Sequence, residues 1–407
     1  MLSLEEARDR LLAAVRSVTE TETVPLWEGL DRILAEDLHA PRAVPPADNA
    51  AMDGYALRAA EGAHEGGLAL AGTATAGGPF SGTVPAGQCV RIMTGALIPA
   101  GCDAVIMQEE CDVSGQGCTT RVRLMRPPRS GEHIRRAGED VAAGACLLGA
   151  GRRLRPPDIG VLASLGLADV TVLRRPRVAL LSTGSELREP GEPLAEGQIY
   201  DSNRYLLTAM LRRLDVAVTD LGICADAPDH LQAVLEGAAR DHDVVIASGG
   251  VSVGEADHTR RVLDRIGRVR AYKVAMKPGK PFTFGTVGAA LFLGLPGNPV
   301  SATVTFHQLA LPALRYLAGE RSSESPLLVA ARAGAPLRKK PGRADFQRAV
   351  LLAEPDGGHR VETTGSQGSG VLSSLTRANA FIRLEAASGD VAAGDTVSVL
   401  PFDRWLM

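Results

Sequence analysis

The 407-residue sequence has no Cys-x-x-Cys pair, and its six cysteines, Cys89, Cys102, Cys111, Cys118, Cys146 and Cys224, have no histidine at ligand spacing nearby. Zinc is therefore disfavoured. Five of the six fall within residues 89–146. A disulfide framework is conceivable there, but buried reduced thiols in a cytoplasmic protein are the favoured reading. Charge excess is missing as well. A net charge of -3 with 22% charged residues gives no basis for nucleic-acid binding, so any anion binding must come from local arrangement. No stretch has the length of a membrane span. Residues 281–314 contain no Asp, Glu, Lys or Arg, yet Pro296, Pro299 and Pro312 divide them into a buried strand, a loop and a helix. Glu5 and Glu6 interrupt the first residues, which argues against a secretory signal. A Walker loop, Gly-x4-Gly-Lys-Ser/Thr, is also absent.

What is present is globular, with 45% hydrophobic residues and a length that suits about two to four domains. Ser3-x-x-Glu6 is a capping box, and Leu4, Ala7, Leu11, Val15 and Val18 follow at helical spacing. Residues 1–23 are thus expected to form a helix that docks on a neighbouring domain. Short apolar runs separated by Gly and Pro over residues 66–140 predict a small β unit, inserted as residues 45–140. It divides a connector made of residues 24–44 and 141–175. From Pro176 strands and helices alternate through residue 324, which predicts a doubly wound parallel sheet. Residues 325–407 return to short strands with Gly-rich turns, so the fold class is α/β plus β.

Chemistry concentrates in loops leaving the carboxyl ends of the predicted strands. Val244, Val245, Ile246 and Ala247 form a buried strand that runs into Ser248-Gly249-Gly250 and Ser252, where side-chain bulk is removed and an anion can approach backbone donors. Glu255 and Asp257 beside that loop make sense if a cation such as Mg²⁺ lies between them and a phosphate. Four further loops carry Ser182-Thr183-Gly184-Ser185-Glu186, Asp226, Lys277-Pro278-Gly279-Lys280 and Leu295-Pro296-Gly297-Asn298-Pro299. Lysines for oxyanions, glycines for backbone donors and carboxylates for a metal suit a phosphate site with a divalent cation. Glu186, Asp226 and Asp257 could instead serve as general bases on water or a hydroxyl. His230, His242, His258 and His307 lie where helix surface or core explains them, and receive no catalytic role. Asp48 and Asp53, with Asn49 and Gly54, suit a tight loop presenting carboxylates, although composition alone favours Asx turns. Residues 91–95, 101–107 and 135–140 read as turns with solvated charges.

Ser248-Gly-Gly-Val-Ser-Val-Gly-Glu-Ala-Asp257, Lys277-Pro-Gly-Lys-Pro281 and Leu295-Pro-Gly-Asn-Pro299 resemble the signatures of the molybdenum cofactor biosynthesis family. The chain is similar to its molybdopterin molybdenumtransferases, relatives of the gephyrin E domain. The match extends to Asp48-Asn-Ala-Ala-Met-Asp-Gly-Tyr55, Arg91-Ile-Met-Thr-Gly95, Gly138-Glu-Asp140 and Gln367-Gly-Ser-Gly370, so it covers nearly the whole chain. The resemblance implies an enzyme that takes adenylylated molybdopterin and molybdate, releases AMP with Mg²⁺ assisting, and yields molybdenum cofactor. Glu186, Asp226 and Asp257 would serve the metal, while Ser248, Gly249, Gly250, Ser252, Lys273, Lys277 and Lys280 would meet the anionic substrate. Ser301, Arg348 and Ser369 would lie near the molybdate, and Pro296 and Pro299 would belong to the substrate-binding set. It further implies a homodimer in which Asp53, Thr94, Arg135 and Asp140 complete the cleft from the partner chain, with other molybdenum cofactor biosynthesis proteins as further partners. The family often has Ser where this chain has Ala50 and Asp where it has Ser185, which leaves Glu186 as the only acid in its loop. An adenylyltransferase of the preceding step and a gephyrin-like scaffold are the alternatives. The extra β domains argue against the first, and the lack of a long disordered linker against the second.

Overall fold

The structure, a computed structural model, describes residues 1–225, 227–249, 258–321, 326–403 and 406. Packing divides the chain into two units, one made of residues 1–35, 151–155 and 170–407, the other of residues 36–150 and 156–169.

The first unit is built on a six-stranded sheet in the spatial order Ala217–Cys224, Arg177–Thr183, Val244–Ser248, Ala290–Leu295, Pro281–Val287, Gly267–Lys273. The first four strands are parallel, as the alternation of strands and helices predicts. Pro281–Val287 is antiparallel to both neighbours. The uncharged stretch read as one buried strand is therefore two. A continuous apolar run carries no mark of a reversal, and the chain turns at Gly288, whose φ of 57° suits a residue without Cβ. Side chains alternate between two cores: Val178, Leu180, Val244, Ile246, Leu291 and Leu293 enter one, and Ala179, Leu181, Val245, Ala247 and Phe292 the other. Burial on both faces is why these strands read as apolar runs.

The first helix, Leu4–Ala14, starts at the expected capping box, with the Ser3 hydroxyl accepting from the Glu6 amide at 3.0 Å and the Glu6 carboxylate from the Ser3 amide at 2.8 Å. Its buried stripe, Leu4, Ala7 and Leu11, joins the first of the two cores. Pro299–Thr305 continues through a wider π turn, Phe306–Ala310, into Leu311–Leu317. Pro312 has no amide to give the Gln308 carbonyl, and Arg8 of the first helix supplies a donor at 3.3 Å instead.

The C-terminal strands Val329–Ala333, Ala344–Ala353, His359–Thr363, Ala380–Leu384 and Thr396–Pro401 pair in a ring, because Ala344–Ala353 bonds to both His359–Thr363 and Ala380–Leu384. A closed barrel leaves no sheet edge exposed among these five strands. Met276–Lys277 attaches to it, with Lys277 opposite Asp345.

The second unit holds a six-stranded sheet in the order Ala104–Met107, Gly54–Leu57, Gln88–Ile92, Leu68–Ala74, Arg121–Leu124, Cys111–Ser114. Alternate residues again feed two clusters, Ala56, Val90, Ile92 and Val105 in one and Tyr55, Leu57, Cys89 and Ile106 in the other. Residues 24–44 do pair with residues 141–175: Val44 bridges Val141 and His39 bridges Cys146 here, while Ile33 bridges Arg153 and Leu34 bridges Val172 in the first unit. No disulfide joins any two of the six cysteines. Only Cys89 and Cys224 are buried, however, and Cys118 and Cys146 are exposed, so burial does not hold for the set. Burial pushes the Cys89 thiol up to about 12, which keeps it protonated. Among the described residues no helix is long and apolar enough to cross a membrane.

Candidate active site

In the first unit the chain leaves Arg177–Thr183 for the strand on one side and later returns to Val244–Ser248 on the other, which makes the gap between these two strands a topological switch point. Ligands of open α/β sheets bind at the carboxyl side of such a gap. Ser182 and Ser248 end the two strands side by side in register. Both are buried, and the Ser182 Oγ and Thr183 Oγ1 atoms have no hydrogen-bond partner among the described residues. Gly249 follows with φ 85°, and a Cβ there would stand 2.4 Å from the Thr183 carbonyl oxygen. Only glycine lets the loop cross so close to its neighbour.

Asn203 reaches this point from the helix Ser202–Arg212. Its Nδ2 donates to the Ser248 hydroxyl at 2.9 Å and to the Gly297 carbonyl at 2.7 Å, tying three loops together. Glu186 stands at the rim: a Cβ on Gly184 would meet its carboxylate at 2.7 Å, and the side chain is exposed.

A second group of predicted residues gathers around the start of the helix Pro299–Thr305. Pro299 takes the first helical position, where its missing amide is no loss. The Val300 amide donates to the Ser369 carbonyl at 3.1 Å, which sets Ser369 beside the buried Ser301. Gly279, with φ 100°, packs on the same helix, since a Cβ would lie 2.4 Å from Thr305 Oγ1. Its neighbours divide: Lys280 is exposed, whereas Lys277 Nζ donates to the buried Asp345 at 3.0 Å. Lys273 is exposed at the end of its strand, in register with Pro281. Arg348 is fully buried, and its Nε donates to Ser374 Oγ at 3.0 Å, its Nη2 to the carbonyls of Ser366 at 3.2 Å and Gly368 at 2.9 Å. Burial lowers its pKa, and Asp345 acts in the opposite sense.

In the second unit Asp53 Oδ1 accepts from both the Thr94 amide and the Thr94 hydroxyl, each at 2.7 Å. The amide bond is the main reason the Asp53 carboxyl is held below its ordinary range. The short strand Asn49–Ala50 bonds to Ile134–Arg135 on one side and bridges Leu97 on the other, which brings the Asp53, Thr94 and Arg135 segments together. Arg135 and Asp140 are exposed. Asp48 accepts from the Arg136 guanidinium at 2.5 Å and the Ala137 amide at 2.8 Å. The two acids are thus not Asx turns, because their partners come from distant segments that local composition does not display. Arg91 is likewise no solvated charge: it donates to the Gly54 carbonyl at 3.2 Å and to Gln108, and lies over the Tyr55 ring.

Residues 2–166 match the MoeA N-terminal region (domain I and II), residues 179–316 the "Probable molybdopterin binding domain", and residues 330–402 the MoeA C-terminal region (domain IV). The chain is 45% identical over 406 residues to the molybdopterin molybdenumtransferase of Haemophilus influenzae, covering 100% of both chains. The chain belongs to the molybdopterin molybdenumtransferase family. The enzyme of the same name from Nostoc sp. is 36% identical over 96% of this chain and 91% of its own. The crystal structure of the molybdopterin biosynthesis moeA protein from Pyrococcus horikoshii OT3 is 30% identical and superposes with a TM-score of 0.83 over 99% of this chain and 100% of that one.

For a member of this family, the predicted site residues thus fall into three described groups: the switch point, the Pro299 helix start and the Asp53 rim. Asp226, Gly250, Ser252 and Asp257 lie outside the described residues. Among the described residues no three His, Cys, Asp or Glu side chains cluster as a metal site. Of the three expected metal ligands only Glu186 is described, and its exposed carboxylate is the hard oxygen donor that Mg²⁺ takes. Asn203 was missed in the sequence. Its one signal is its place directly after Asp201-Ser202, where the Asp201 carboxylate caps the helix through the Arg204 amide at 3.1 Å.

Proposed function

We propose that the chain inserts molybdate into adenylylated molybdopterin and releases AMP, giving molybdenum cofactor. The observation that carries this reading is the 45% identity with the Haemophilus influenzae molybdopterin molybdenumtransferase along the whole of both chains. The chemistry asks for cationic and hydroxyl donors for a tetrahedral oxyanion, close backbone for a pyrophosphate, and carboxylates for a divalent ion. Lys277, Lys280, Ser301, Arg348 and Ser369 fit the first role. Ser248 and Gly249, with Gly250 and Ser252, fit the second, and Lys273 extends the cationic edge. Pro296 and Pro299 stiffen the loop between the two.

Glu186 would hold Mg²⁺ together with Asp226 and Asp257, and the ion would neutralise charge on the pyrophosphate. One of these carboxylates could act as general base instead. The chain works in the cytoplasm as a homodimer, with Asp53, Thr94, Arg135 and Asp140 of a second subunit facing these loops, and other proteins of molybdenum cofactor biosynthesis are its further partners. Asp53 supports that role because its bonds to Thr94 keep it ionised.

The deciding experiment follows AMP release from adenylylated molybdopterin with molybdate and Mg²⁺. Release that depends on molybdate is expected. Transfer of AMP from ATP to molybdopterin without molybdate would replace this reading with the preceding adenylylation, and inactivity in both assays would favour a scaffold.

A further inference from the structure

Asn203 is buried, sits on the first turn of a capped helix, and makes two bonds through a single atom. One of these fixes the amide. The Gly297 carbonyl can only accept, so the atom 2.7 Å from it must be the NH₂ group, and Oδ1 faces the other way. That Oδ1 is buried and has no hydrogen-bond partner among the described residues. An acceptor left bare in a buried position is costly unless a ligand supplies a donor. Ser248 is set by the same bond: its oxygen accepts from Asn203, so its own hydrogen is free to be donated.

We infer that Asn203 Oδ1 and the Ser248 hydroxyl form an acceptor and donor pair that binds the N–H and C=O edge of the substrate's pterin ring. This rests on the function proposed above and assigns one part of that substrate to the switch point. A phosphate would not satisfy Asn203, because an amide oxygen and a phosphate oxygen both offer only lone pairs. A pterin does, since its ring carries an N–H beside a carbonyl. Asn203 is then a specificity residue for the heterocycle, and through Gly297 and Ser248 it also positions the loops on either side. The Ser182 and Thr183 hydroxyls at the end of the neighbouring strand, unpartnered among the described residues, provide further capacity for a polar heterocycle.

Calorimetric titration of the full chain with neopterin, a phosphate-free pterin, and separately with AMP tests this. Asn203→Ala should weaken neopterin binding about tenfold or more, the effect of one lost hydrogen bond with its partner left unpaired, and change AMP affinity less than about twofold. Ser248→Ala should act in the same direction, and the double variant should bind little worse than Asn203→Ala, because the two groups act as a pair. Equal loss of neopterin and AMP affinity would mean a merely structural role and would overturn the inference, as would unchanged neopterin binding in Asn203→Ala. Failure of the unaltered chain to bind neopterin would overturn it too. Molybdate-dependent AMP release by the unaltered chain separates the cases: if it persists while the neopterin result fails, the subsite is wrong and the reaction stands.

Discussion

Arg348 heads the largest fully buried side chains of the described residues, and it has no carboxylate to pair with. Instead the guanidinium spends three of its five N–H donors on Ser374 and on the carbonyls of Ser366 and Gly368. Its planar fork therefore holds the loop that ends in Ser369, and lysine, with one compact ammonium, cannot span the same acceptors. Arg348→Lys should raise the molybdate concentration needed for half-maximal AMP release about tenfold or more while leaving AMP affinity near its original value. An unchanged molybdate response would remove Arg348 from the oxyanion site. Gly249 gives a different kind of test. Gly249→Ala puts a Cβ 2.4 Å from the Thr183 carbonyl oxygen at a positive φ, so urea unfolding should show a loss of about 1–3 kcal/mol, with the substrate loop displaced. The turns that carry Lys277, Lys280 and Ser369 were legible in the sequence because glycine and proline mark them, whereas the roles expected of these residues came from the family resemblance. Asn203 and the Arg91 contacts were not, because their partners lie far along the chain and no local pattern announces a bond between Asn203 and Gly297.

At the level of elements, local signals proved readable and pairing did not. The Ser3 and Glu6 cap is contained within four residues, so the spacing alone locates the start of the first helix. Ser3→Ala should lower stability by about 1 kcal/mol in urea unfolding, and a change below about 0.3 kcal/mol would mean that packing of Leu4, Ala7 and Leu11 sustains the helix without its cap. The reversal of Pro281–Val287 is the opposite case, since strand direction depends on neighbours and residues 281–314 are apolar throughout. In the second unit, Arg126 joins two elements by donating to Glu110 at 2.7 Å and to Glu132 at 2.6 Å. The bond from Arg126, followed by the Arg129 amide, pulls the Glu132 carboxyl down to about 2. A carboxyl depressed in the folded state stabilises fully above its unfolded pKa of about 4.3, and that contribution disappears as pH falls toward 2. Glu132→Gln should therefore melt earlier than the parent at pH 6 and show a smaller drop in melting temperature between pH 6 and pH 3. Parallel melting curves for the two proteins across that range would show that solvent screens the pair.

For the whole molecule, the two groups of acids and hydroxyls fall in separate packing units: Asp53 and Thr94 in one, Glu186 and the switch point in the other. In the proposed homodimer each group supplies half of a site. The Asp53 rim carries an ionised carboxylate and the exposed Arg135, while the switch point carries hydroxyls, bare backbone and the exposed Glu186. The proposed homodimer joins a rim from one subunit to the loops of the other, and this arrangement has a quantitative consequence. Asp53→Ala and Glu186→Ala homodimers should each be inactive, because every site lacks one carboxylate. When the two variants are mixed and allowed to exchange subunits, half of the dimers become mixed, and in each of these one site carries both substitutions while the other carries neither. AMP release should then recover to about a quarter of the parental rate per subunit, and recovery should follow the rate of subunit exchange. Were each site built within one chain, every subunit in the mixture would still carry one defect, and mixing would restore nothing.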